Sequence, residues 1–71
     1  MNALSQVTIG QVQTVAKLRT PETAVRRKLM ALGITPGCSL TVEQRFPSYI
    51  VKVGYTRAAL DRELAASIFV R

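Results

Sequence analysis

Residues Ser39–Leu60 read SLTVEQRFPSYIVKVGYTRAAL, and the two breaks in this stretch decide the fold. Leu40 and Val42 alternate with Thr41, Glu43 and Arg45, the period of two expected of a half-buried strand over Ser39 to Arg45. Phe46-Pro47-Ser48 interrupts that pattern, because proline offers a ladder no amide proton. Tyr49-Ile50-Val51-Lys52-Val53 is rich in β-branched and aromatic residues, and a short turn near Gly54 makes it a hairpin with Thr56 to Leu60.

Toward the N-terminus the period changes. Thr20-Pro21-Glu22 is a helix start: Thr20 can cap, Pro21 suits the first helical position, and Glu22 complements the helix dipole. Val25, Leu29 and Leu32 follow at spacings of four and three, which puts them on one core-facing stripe of a helix over Thr20 to Leu32. Gly33 stands where a left-handed cap ends such a helix, with Ile34 placed to fold back on it. Pro36-Gly37 then has the composition of a type II turn. Before the helix, Val12, Thr14, Ala16 and Leu18 share one parity and predict a half-buried strand over residues 11–18. Beyond the hairpin, Asp61 caps a helical turn from Asp61 to Ala66, and Ser67–Val70 closes the chain as a last strand. The expectation is a mainly β, single domain over residues 1–71. About five short strands form a small barrel closed on itself, with the principal helix between the first and second strands and a helical turn before the last.

Composition bounds the function. The 71 residues carry 10 Lys+Arg against 4 Asp+Glu, a net charge of +6, which points to an acidic partner. The longest apolar run is Leu29-Met30-Ala31-Leu32, far short of a membrane span, and Cys38 has no second cysteine to pair with. These features lead us to expect a cytoplasmic protein with no membrane insertion.

The inventory for catalysis is poor. There is no histidine for general base work or a triad, and one cysteine cannot assemble a zinc site. Cys38 reads as a structural thiol, against a redox or ligand role. Glu22 and Asp61 sit at helix starts, Glu43 lies on the polar parity of a strand, and Asp61 and Glu63 are poorly spaced to share one ion. The isolated glycines draw neither a phosphate loop nor a dinucleotide fingerprint. No catalytic residue, metal ligand or cofactor site is therefore expected. The binding candidates are cationic. Arg26, Arg27 and Lys28 lie off or beside the apolar stripe and form either a solvated face or a docking surface, which Met30 joins unless it fills a gap in the core. Arg45 and Arg57, at strand or loop ends, are further candidates. Tyr49, Val51, Val53 and Tyr55 share a parity and read as packing rather than as a stacking platform for bases.

Taken in order, RRKLMALGITPG (26–37), SLTVEQRF (39–46), IVKVGYTRAAL (50–60) and LDRELAASIFV (60–70) resemble the ferrous iron transport protein A family, FeoA, over nearly the whole chain. Lys28, Leu29, Leu32, Gly33, Ile34, Pro36 and Gly37 fill the places of its basic-Leu, Leu-Gly, apolar and Pro-Gly pattern. Leu60, Ala65, Ile68 and Val70 fill its closing one. Lys28 stands where the family often has arginine, so a bidentate guanidinium is lacking there. The resemblance implies an SH3-like barrel without catalysis, working in the cytoplasm beside the ferrous iron permease, a membrane protein with an attached G domain. It implies a docking accessory of iron uptake. The alternatives are a regulator of the G domain's nucleotide hydrolysis, with Arg45 or Arg57 as an arginine finger, and, from charge alone, a small nucleic-acid-binding barrel.

Overall fold

In the computed structural model, which describes all 71 residues, the hairpin is the most regular part of the backbone. The strands are β1 (Asn2–Ala3), β2 (Val12–Leu18), β3 (Ser39–Gln44), β4 (Tyr49–Val53), β5 (Thr56–Leu60) and β6 (Ile68–Val70). The helices are α1 (Thr23–Ala31) and α2 (Arg62–Ala66), with a 3-10 turn at Leu4–Gln6. Strands β4 and β5 pair in unbroken register from Tyr49↔Leu60 to Val53↔Thr56, leaving Gly54-Tyr55 as a two-residue loop. β3 adds to β4 antiparallel, with a register shift between Val42 and Gln44, so Glu43 occupies a bulge.

β2 joins two halves of the structure. Its first residues, Val12–Thr14, pair with β3, while Val15–Leu18 pair with β6 across a bulge between Val15 and Lys17. An extra residue bends a strand and breaks its alternation. That bend turns the sheet, in the order β1-β6-β2-β3-β4-β5, around one core of 15 buried residues that includes Val15, Leu29, Ile34, Leu40, Val42, Val51, Leu60 and Ile68.

Four expectations need correction. There are six strands, because the two-residue β1, too short to leave a periodic signal, pairs with β6 through Asn2↔Val70 and Ala3↔Phe69. The sheet is open rather than closed by hydrogen bonds, with β1 and β5 as its edges. The buried residues of β2 are Val15 and Leu18, not one parity: Val12 is 71% exposed, since the bulge resets the alternation. Tyr55 is fully exposed at the hairpin tip, although Val51 is buried and Tyr49 and Val53 pack against the core.

The helix starts later than its sequence suggested. Glu22 is the N-cap residue, and the Thr20 hydroxyl accepts a hydrogen bond from the Glu22 amide at 3.1 Å, closing a local turn before the helix instead of capping it. Its end follows expectation. Gly33 takes φ +88°, its amide donates to Met30 O at 2.9 Å, and the Ile34 amide reaches back to Leu29 O at 3.0 Å, a Schellman closure that brings two fully buried side chains, Leu29 and Ile34, together. The Cys38 amide bonds Thr35 O at 3.0 Å across Pro36-Gly37, and Gly37 at φ +93° donates to Val15 O at 2.8 Å. The predicted turn is thus tied directly to the bend of β2. The short helix α2 forms as expected, with Asp61 Oδ1 accepting from the Leu64 amide at 2.8 Å.

Candidate docking surface

One face of α1 is committed to the core through Leu29, with Val25 and Leu32 partly buried beside it. The positions between them are turned outward by the 3.6-residue period. Arg26, Arg27 and Lys28 are exposed, as is Met30 at 49%. Arg26 donates from Nη2 to Thr20 O at 3.1 Å, which ties its side chain to the chain entering the helix. None of the three cations forms an ion pair, because the molecule's salt bridge lies elsewhere, between Arg57 and Glu43. Around the helix Met30 falls between Arg26 and Arg27, while Lys28 lies about 160° from Met30 at the edge of the buried stripe, so two uncompensated positive charges flank the exposed thioether.

Arg57 lies on β5 and Arg45 just past the end of β3 instead. Arg57 Nε donates to Glu43 Oε1 at 2.6 Å and Nη2 to Oε2 at 3.4 Å, a two-pronged contact across β4, where Lys52 pairs with both Thr41 of β3 and Arg57 of β5. That hydrogen bond first, and the carboxylate's charge second, raise the Arg57 pKa above its ordinary value. Arg45 follows the end of β3, half-buried, and donates from Nη2 to the carbonyl of buried Val7. Its Nε is buried without an acceptor.

A feature that the sequence did not disclose adjoins Arg45. Two cavities, each of about 280 Å³, share Arg45, Tyr49 and Arg62 as lining residues. One runs back to Ala3 and Ala65, and the other out to Phe46 and Pro47. No sequence signal connects these residues, since only the packing of α2 and the 3-10 turn beside the β3–β4 loop brings them together. Cys38 is a half-buried free thiol packed against the core, and no three His, Cys, Asp or Glu side chains cluster anywhere in the molecule. No helix is long and apolar enough to cross a membrane.

A bent antiparallel sheet of six strands, with a helix in the β2–β3 connection and a short helical turn before the last strand, defines a small SH3-like domain. Comparison with known proteins gives the family. The FeoA domain model matches residues 2–71, and the chain belongs to the FeoA family. It is 43% identical over 47 residues to a Leptolyngbya boryana protein named for Fe(2+) transport, transport protein A, an alignment spanning 66% of this chain and 57% of that relative's length. The solution structure of FeoA from Chlorobium tepidum superposes with a TM-score of 0.85 at 30% identity, over 97% of this chain and 68% of that one. The zinc-complexed crystal structure of Stenotrophomonas maltophilia FeoA, described as a prokaryotic SH3 domain protein and a candidate activating factor of ferrous iron transport, gives a TM-score of 0.85 at 25% identity. That match covers 100% of this chain and 91% of that one.

Proposed function

We propose that this chain is a non-enzymatic, cytoplasmic accessory protein of ferrous iron uptake that docks on the ferrous iron permease through the outward face of α1. The observation that carries the reading is the placement of Arg26 and Arg27, free of carboxylate partners, on either side of exposed Met30 on the one long helix, with exposed Lys28 at the edge of that helix's buried stripe. Relatives named for Fe(2+) transport supply the process. An exposed apolar side chain flanked by two arginines suits an acidic protein face, with the thioether adapting to the partner's surface. Docking would support transport by binding one conformation of the permease better than another, since a ligand shifts an equilibrium only by its differential affinity.

Co-purification with the permease, and separately with its isolated G domain, with and without guanine nucleotide, tests this reading. Retention by the whole permease that Arg26→Glu with Arg27→Glu abolishes is the expected result; failure to bind in any state would overturn it. The arginine-finger alternative has weaker support, because Arg57 is engaged by Glu43 and Arg45 by Val7 O. Both would have to leave these partners to reach a phosphate. It predicts that binding requires the G domain and nucleotide, and that Arg45 or Arg57 substitutions alter hydrolysis without abolishing docking.

A further inference from the structure

We propose that the cleft shared by Arg45, Tyr49 and Arg62 is a second recognition site, separate from the α1 face, which binds an acidic peptide segment of a partner protein: a carboxylate flanked by an apolar side chain. Charge is the first argument. Arg45 and Arg62 both line the two adjoining cavities, and neither forms an ion pair. The one acidic residue in the lining is Asp61, and its Oδ1 already accepts the Leu64 amide that starts α2. Two guanidinium groups therefore face the cleft against a single carboxylate already engaged within the protein. Within Arg45, Nη2 serves Val7 O and Nε is buried without an acceptor, which leaves Nη1 with no partner in the protein. Planar guanidinium groups match a carboxylate with paired hydrogen bonds, which are stronger and more directional than those of an ammonium.

Shape and polarity give the second argument. Phe46 is 82% exposed at the outer mouth, next to Pro47, while Tyr49 is half-buried between the two cavities. The inner cavity is walled by Ala3, Ala65 and Ala66, small aliphatic surfaces that would accept a branched side chain. Aromatic side chains beside arginines are the composition enriched where binding energy concentrates in protein interfaces. A nucleic acid strand would need a track of cations continuing beyond the two arginines, whereas the walls here are aliphatic and the cleft short. The cations of α1 belong to another part of the surface, so this site does not depend on the docking reading above.

The test titrates ¹⁵N-labelled protein with the capped peptide acetyl-Gly-Glu-Leu-Glu-Phe-Gly-amide, using its Glu-to-Gln counterpart and a single-stranded thymidine oligonucleotide as comparators. Amide shifts are expected at residues 45–49 and 61–66, with affinity falling roughly tenfold or more for the Gln peptide and for Arg62→Glu, the loss of a charge-assisted pair. Arg26→Glu with Arg27→Glu should bind the peptide as the parent does, which separates this site from the α1 face. Arg62 is the residue to change because it is exposed, whereas Arg45 also supports Val7 and its variants test folding as well. No binding at millimolar peptide, equal binding of the Gln peptide, shifts centred on α1, or tighter binding of the oligonucleotide in the same cleft would each overturn the proposal.

Discussion

Gly33 and the Arg26–Lys28 run show how unequally single residues reveal their roles. Gly33 sits at φ +88°, and a Cβ built there would meet Val53 Cγ1 at 3.6 Å, an ordinary contact. Space is therefore not the obstacle; the backbone conformation is. Gly33→Ala is expected to cost about 1–2 kcal/mol, the penalty of a β-carbon in the left-handed region, read as a lower urea midpoint with unchanged m value. The position was legible because one physical requirement, a left-handed residue after an apolar stripe, selects glycine. Arg26 and Arg27 have no such requirement acting on them. Both are exposed, so Arg26→Glu with Arg27→Glu should leave the fold intact by circular dichroism and weaken permease binding in co-purification. Unchanged binding by a folded double variant would remove the α1 face from the proposal.

At the level of elements, periodicity located α1 and β3, β-branched content and the turn at Gly54 located β4 and β5, and the Asp61 cap located α2, each to within a few residues. The two failures have the same origin. β2 is bulged, and the bulge splits its buried set between the two parities, burying Val15 before it and Leu18 after it while Val12 is exposed. β1 is two residues long and exists only because β6 offers an edge. Both depend on a neighbouring strand, which no local pattern encodes. Leu29 tests the phase of α1: it is fully buried and accepts the Ile34 amide that closes the helix. Leu29→Ala should destabilise the protein by about 2–5 kcal/mol, enough to unfold much of a domain this small, and an unmoved melting temperature would show the phase to be wrong.

For the molecule as a whole, the relation to iron follows from the inventory of ligands. The chain has no histidine; Cys38 is half-buried, Glu43 is held by Arg57, and Asp61 caps α2. With no cluster of three ligating residues and a net charge of +6, the protein is expected to bind ferrous iron no better than a generic acidic surface does. Anaerobic titration calorimetry on the monomer checks this, and a stoichiometric site of micromolar affinity would contradict it. The same molecule should show no nucleotide hydrolysis of its own, measured as phosphate release, because no phosphate loop or clustered aspartate is present to hold a nucleotide and magnesium.

By itself the sequence determined the alternation of β3, the helix with its glycine stop, the Pro36-Gly37 turn and the outward phase of Arg26 and Arg27. All of these follow from interactions between residues near one another in the chain. The tertiary structure alone decided where the sheet bends, that its edges stay open at β1 and β5, that Glu43 neutralises Arg57, and that Arg45 and Arg62 line one cleft. The physical reason is sequence separation: a bulge, an ion pair across an intervening strand and a shared cavity are set by which distant surfaces pack together, and packing is decided by the whole core rather than by any local period.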